Sequence, residues 1–273
     1  QYDHRSKTFV SYQAVAEYKP SKRHALRANY GRGYRSPFME ETFQVITFIV
    51  DDTTRLQGLG NDNLDLLTND TVELGWRARL TEHLESDLEL FWSRNKDYAS
   101  IFADGSVRVE DGITYVNFPY QQVDVEAEQW GGTFSILYAL PEARVNGRVF
   151  ATVQRTHLRD NLLDPTDPTS EQNGEHENTP AVYGGFYLNW LPIQDFRINV
   201  SGYYFSDTTQ VAALQTTDVA GKVLLNLKTS YSLTDNVDVF FNARNLLNND
   251  NREFANTDQI DGLYLAGVDV ALN

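Results

Sequence analysis

The chain has no cysteine, a single methionine, and no stretch that approaches the roughly 18 apolar residues a membrane-spanning helix requires. Helical membrane spans are therefore excluded. Without cysteine there is no disulfide framework, which suits passage through an oxidising compartment and equally a cytosolic protein. Basic charge is scarce: 23 Lys and Arg stand against 38 Asp and Glu, for a formal net charge of −15. That balance argues against nucleic acid as a partner, because phosphate backbones need a basic face. The frames of common chemical sites are missing too. No serine stands in a Gly-x-Ser-x-Gly elbow, and none of the five His has a second His or Cys at ligand spacing. Gly31 and Gly33 in "YGRGYRSPFMEE" look like half a phosphate loop. A dinucleotide loop, however, follows a buried apolar strand and opens a helix, whereas here an alternating segment precedes and Pro37 follows.

What is present is aromatic and alternating. Phe, Trp and Tyr make up 12% of the residues while the mean hydropathy is only −0.46, which suits strands with apolar residues confined to one face. In "HALRANYGRGY", Leu26, Ala28 and Tyr30 point one way and Arg27, Asn29 and Gly31 the other. The same period sets Val72, Leu74 and Trp76 against Glu73, Gly75 and Arg77, and Leu88, Leu90 and Trp92 against Asp87, Glu89 and Phe91. About eleven such strands are predicted. Trp76, Leu90, Leu188 and Leu227 are expected to face outward and to be exposed, with Arg77, Glu89 and Asn226 on the opposite side. Aromatics recur at the ends of the apolar rows, the placement of interfacial girdles on a transmembrane barrel.

The connections alternate in length. Short turns are read at "KPSKR", "TEH", "LPEA", "LPIQD" and "LTDN", and long ones at about 35–69, 93–123, 156–180, 207–220 and 246–261. Bacterial outer-membrane barrels sort their loops in this way, with the short turns periplasmic and the long loops extracellular. A soluble sandwich has no reason to. The fold class is therefore all-β: an antiparallel transmembrane β-barrel of about eleven strands. An odd strand count with ends on opposite sides predicts half of a larger barrel, unable to seal by itself, since open edges cannot be satisfied in lipid. The outward phase of the last strand also predicts that the natural chain continues past Asn273 to an aromatic residue.

Several segments together resemble a family. "LRANYGRGYRSPFMEE", "LGNDNLDLLTNDTVELGWR", "YVN" at 115–117 with "WGGTFSILYAL" after it, and "VFFNARNLLNND" are similar to the barrel of TonB-dependent outer-membrane receptors. The resemblance implies a barrel of about 22 strands, of which residues 1–273 would form the C-terminal part. The plug and the TonB-contacting segment have no counterpart in the sequence. It further implies a bacterial outer-membrane location and uptake of a scarce nutrient such as a ferric siderophore or cobalamin, energised by TonB through the plug. The implied partners are outer-membrane lipid and lipopolysaccharide, the plug with the N-terminal half of the barrel, TonB, and a small ligand such as a metal chelate. No catalytic residue, metal or cofactor is called for. A passive outer-membrane pore or small closed barrel is the alternative, and an outer-membrane barrel enzyme comes third.

Candidate ligand contacts are inward or rim residues at outer strand ends: Arg32, Arg35, Arg94, Tyr98, Gln154 and His157. For the arginines after Tyr30 and for His157 the plainer reading is a polar rim anchor. The acidic stretch from Asp160 to Glu177 lacks the Asp-x-Asp-x-Asp-Gly spacing of a calcium loop and reads as a solvated connection. Asp104-Gly105 and Asp111-Gly112 are tight-turn signals, predicting a small hairpin inside the loop after Trp92.

Overall fold

The computed structural model describes residues 9–101, 106–160, 174–212, 215–248, 252, 254–255 and 257–271. Its opening elements are β1 (Tyr12–Ser21), β2 (His24–Arg35), a short helix α1 (Met39–Phe43), β3 (Val45–Ile49), β4 (Thr54–Leu59) and β5 (Leu67–Arg79). There follow β6 (Leu84–Ile101), β7 (Val107–Glu110), β8 (Ile113–Leu140), β9 (Val145–Asp160), β10 (Gly174–Glu175) and β11 (Val182–Ile193). The chain continues through β12 (Phe196–Phe205), β13 (Thr208–Ala212), β14 (Gln215–Val219), β15 (Lys222–Thr234), β16 (Val237–Arg244) and β17 (Leu263–Val270). Eleven of these form one wall in the order β1-β2-β5-β6-β8-β9-β11-β12-β15-β16-β17, each strand antiparallel to its neighbour. Among the described residues β1 and β17 pair on one side only. The wall is thus open, as the odd strand count predicts.

Among the described residues the one sheet apart from that of the wall is the two-stranded β13–β14 pair, too small to be the second layer of a sandwich. The exposed area, 17752 Å², exceeds the roughly 12,000 Å² of a compact protein of this mass. Large apolar side chains stand in the open: Leu74 and Trp130 are 52% exposed, Val153 57% and Val268 58%. Pairing puts them on one face. Leu26 lies opposite Trp76, Trp76 opposite Leu88, and Leu88 opposite Phe134, while Leu188, Val200 and Leu227 align farther along. Arg77, Glu89 and Asn226 lie on the other face, as the alternation predicts. Of the four residues expected to be exposed, Leu90 is; Trp76, Leu188 and Leu227 are half-buried. Same-face neighbours account for this, as where the His24 ring lies parallel to Trp76 at 6.0 Å.

Strands and loops meet at different places from those the alternation suggests. β6 runs on to Ile101 and β8 begins at Ile113, inside the connection expected at 93–123, and β9 continues to Asp160. At about 3.3 Å per residue the 28 residues of β8 reach far beyond an apolar band about 25 Å tall. Beyond the band both faces meet water, so hydrophobic alternation ceases while backbone pairing continues. Within the same connection the expected hairpin is present. Asp111 and Gly112 join β7 to β8 with φ of 52° and 78°, the two left-handed positions of a two-residue hairpin turn. Asp104-Gly105 lies outside the described residues, as do Asp164, Asp167 and Glu171 of the acidic stretch.

The first long connection folds back on the wall. Pro37, with no N–H to give, closes β2, and Glu41 of α1 then accepts the Phe38 N–H at 2.6 Å. Asn61 donates to the Tyr120 carbonyl at 2.9 Å, and Gln122 accepts the Asp65 N–H at 2.8 Å. Beneath these bonds Leu64, Leu66 and Val123 are buried. β4 runs parallel to the start of β8, and with β3 and β7 makes a small sheet at the long-loop end. The last connection is pinned by asparagines. Asn245 and Asn248 take left-handed φ of 49° and 46°, which Asn tolerates. The Asn245 N–H donates to Asn226 Oδ1 at 3.0 Å and its amide to the Ile260 carbonyl at 2.9 Å.

Candidate functional site

The polar face of the wall has two characters. Across β1, β2, β5 and β6 it is ionic. Arg27 meets Glu89 at 2.9 Å, Arg77 meets Asp87 at 2.8 Å, and Arg79 meets Glu85 at 3.1 Å. The Asn29 amide donates to Glu73 at 2.9 Å and receives the Gln13 amide at 2.9 Å. Opposite charges directly across from each other support the pairing register. From β9 to β12 the same face is mostly uncharged. Asn199 donates to Asn189 at 2.6 Å and Asn189 to Asn146 at 2.9 Å, a run of side-chain amides across three strands. Asn226 continues the character on β15, donating to Ser201 at 3.2 Å. Arg148 and Arg197 are cations within this region, and Lys228 of β15 stands opposite Asn199; Arg148 lies 5.5 Å from the Phe150 ring centre and donates to Ser135 at 3.2 Å.

The six candidate residues do not converge on one spot. Gln154 lies on the polar face opposite Gly131, receives the Gln129 amide at 3.3 Å, and donates to the Pro180 carbonyl at 3.0 Å. It borders a hollow of about 240 Å³ whose wall includes Thr156, Glu177, Ser206 and Thr208. Arg35 shares the phase of Gly31 and Gly33, stands 4.2 Å from the Phe38 ring centre, and meets Glu41 at 3.4 Å. Tyr98 is half-buried beyond a register shift, opposite buried Val123 and within electrostatic range of Arg35. Arg32, Arg94 and His157 share the phase of Tyr30, Trp92 and Trp130, which belongs to the apolar face. Arg32 grips Asp70 with Nε at 2.6 Å and Nη2 at 2.7 Å, and Arg94 pairs with Glu126. His157 stands between Glu128 of β8 and Glu175 of β10 in the pairing.

The sequence reading missed Glu41, Gln129 and the Asn146–Asn189–Asn199 run. Strand phase carries the signal for the amides, since each falls on the polar phase of its strand. Nothing local announces Glu41, whose role depends on the turn after Pro37. At the tip between β3 and β4, Asp51 accepts the Thr53 N–H at 2.8 Å and its hydroxyl at 3.0 Å, bonds that hold the Asp51 carboxyl below the usual range.

A single antiparallel wall, apolar on one face and hydrated on the other, with short turns at one end and long connections at the other, defines a segment of a transmembrane β-barrel. The family model "TonB dependent receptor-like, beta-barrel" matches residues 1–246, and the chain belongs to that family. Among solved structures, the siderophore receptor PirA from Acinetobacter baumannii aligns with a TM-score of 0.73 at 13% identity, over 95% of this chain and 40% of that one. A mutant of the ferric enterobactin receptor PfeA from Pseudomonas aeruginosa, in complex with enterobactin, aligns with a TM-score of 0.64 at 16% identity, over 88% and 35%. The FrpB iron transporter from Neisseria meningitidis gives 0.64 at 11% identity, over 94% and 37%. The chain thus spans 35 to 40% of the length of these structures, and at such identities the likeness is one of fold. No curated protein matches the sequence.

Proposed function

We propose that this chain is the C-terminal part of the barrel of an outer-membrane receptor that imports a scarce nutrient, with the energy supplied by TonB acting on a plug domain. The observation that carries the reading is the wall: an open antiparallel sheet with an apolar face for lipid and a continuous polar face for a water-filled lumen, in a chain of this family. The long connections at about 35–69, 93–123, 156–180, 207–220 and 246–261 lie outside the cell, with the upper parts of β6, β8 and β9 standing above the membrane among them.

Ligand meets the lumen-side rim, where Arg35 and Gln154 stand, with Tyr98 within electrostatic range of Arg35. Arg32, Arg94 and His157 lie behind that wall, on its lipid side. The ligand is a small polar molecule such as a ferric siderophore or cobalamin. Structural neighbours described as a siderophore receptor, a ferric enterobactin receptor and an iron transporter support the iron chelate over the corrinoid. Family membership favours a receptor over a passive pore or an enzyme.

The test uses the full-length receptor in its own cell, with radiolabelled ferric chelates and cobalamin offered in turn. Uptake of one of them should require both the receptor and TonB. The variant Gln154→Ala, which removes two hydrogen bonds at the rim, should weaken ligand binding by roughly tenfold. Accumulation that persists without TonB would end the active-transport reading in favour of a passive pore.

A further inference from the structure

From β9 to β16 the polar face of the wall carries cations that no carboxylate answers. Arg148, Arg197, Lys228 and Arg244 share the phase of Asn146, Asn199 and Asn242. Among the described residues none of the four forms an ion pair, whereas Arg27, Arg77 and Arg79 on β2 and β5 are each paired. Aromatic rings support two of the four instead. Arg148 lies 5.5 Å from the Phe150 ring centre, and Lys228 5.5 Å from that of Phe240. A ring face attracts a cation without consuming its N–H donors. Arg148 spends one donor on Ser135, while its Nε is buried with no acceptor among the described residues.

Lys228 and Arg244 line one hollow of about 300 Å³, together with Asn189, Asn199, Asn226 and Asn242. No carboxylate is in its lining, so the surface is rich in N–H donors and positive in sign. It lies deep in the lumen. Asn199, opposite Lys228, is three residues from the start of β12 at a short turn. Gln154 at the rim, by contrast, stands about 26 Å beyond Asn146 along β9, at about 3.3 Å per residue. A solute arriving from outside meets the rim first. The hollow faces whatever fills the short-turn end of the lumen at rest, and its unanswered cations call for carboxylates on that occupant.

We infer that this face of the wall, centred on Lys228 and Arg244, is the seat of the plug, and that the plug presents Asp or Glu side chains to it. The inference rests on the receptor reading, which supplies the plug. Across β2, β5 and β6 the charges of the wall already answer one another, so a plug gains little there by bringing charge of either sign. Over β12, β15 and β16 a carboxylate gains a cation and several amide donors at once, and it does so in a space from which the plug itself excludes water. The plug is therefore held unevenly, more firmly on this side of the barrel than on the ionic side.

The experiment uses the ligand-free, full-length receptor in mild detergent, treated with a water-soluble carbodiimide, which joins an amine to a carboxylate in contact with it. Peptide mass spectrometry should find Lys228 joined to an Asp or Glu of the plug. A Lys228 that stays uncoupled, or that couples only to carboxylates of the barrel, overturns the seat. A second measurement reads plug release as channel conductance in planar bilayers at a fixed urea concentration. The variant Lys228→Gln, Arg244→Gln should open roughly tenfold more channels than the parent, the loss of two ion pairs. A control of equal charge change in the outer connections, Arg55→Gln, Arg108→Gln, should behave like the parent. Equal conductance in all three proteins overturns the seat, and so does an equal rise in both variants, which would report net charge alone. Should the hollow variant lack the heat-modifiable migration of a folded barrel, the coupling at Lys228 in the parent decides. A seat that fails while TonB-dependent uptake persists falls alone, whereas a full-length chain without a plug takes the receptor reading down with it.

Discussion

The ionic half of the polar face, on β1 to β6, and the amide half, on β9 to β15, solve one problem by different means. Both must stay hydrated beside a membrane while holding neighbouring strands in register, because a slip of one residue would turn every apolar side chain inward. The ionic half pairs Arg27, Arg77 and Arg79 with carboxylates on β6, so a slip would separate opposite charges. The amide half links Asn146, Asn189 and Asn199, each able to donate and accept. The two halves differ to a solute. The ionic half offers charges already paired, whereas the amide half sets Arg148, Arg197 and Lys228 on the same face as its amides, so it is the more cationic of the two.

Both halves stand on the same apolar face, and the largest effects are expected there. Leu90→Arg behind the ionic half and Leu188→Arg behind the amide half should each cost about 1–3 kcal/mol, somewhat less than the midplane penalty for a cation because each stands one row inside a Trp level. Reversible denaturant unfolding of the full-length receptor in lipid vesicles measures both. A cost near zero at one site would place that residue at an interface or against protein, and the two halves would then differ in depth as well as in chemistry.

The wall is legible in the sequence only where its two faces meet different solvents. Within the bilayer Leu26, Ala28 and Tyr30 must be apolar and Arg27 and Asn29 need not be, so selection writes a period of two. Past Trp92 on β6 and before Trp130 on β8 that constraint ends, and "SRNKDYASI" shows no alternation although its backbone pairs through to Ile101. A register shift between Lys96 and Tyr98, with Asp97 at a φ of 65°, disturbs the phase further. Arg32 teaches the reverse lesson. Its phase with Tyr30 is plain in the sequence and puts it on the apolar face, whereas its charge at an outer strand end makes it an inward or rim candidate. The Arg35–Phe38–Glu41 contacts depend on how the chain turns after Pro37, which no period encodes.

A sharper separation of the halves comes from removing one central link in each. Asn189→Leu deletes the bonds to both Asn146 and Asn199, and should cost about 1–2 kcal/mol. Arg77→Leu breaks one pair with Asp87, whose side chain is 23% exposed, and should cost about 0.5–1 kcal/mol. Thermal or denaturant unfolding of the full-length receptor ranks them. If Arg77→Leu proved the more damaging, the ionic half would be the less hydrated of the two, and the reading of its pairs as solvent-screened would be wrong.

The smallest effect is expected from salt, and it tests whether the two halves differ in kind. Raising the ionic strength from 0.1 to 1 M shortens the screening length from about 10 Å to about 3 Å, which weakens interactions between exposed charges and leaves amide hydrogen bonds nearly untouched. Arg77 and Arg79 are 66% and 61% exposed at their side chains, so their pairs lie within reach of that screening. Amide hydrogen exchange in β5 and β6 should therefore quicken by roughly twofold in high salt, corresponding to a few tenths of a kcal/mol. Exchange in β11 and β12, where Asn189 and Asn199 stand, should stay unchanged. Acceleration of equal size in both places would mean that salt acts on the barrel as a whole, and the ionic pairs would then contribute no separate share to holding β5 against β6.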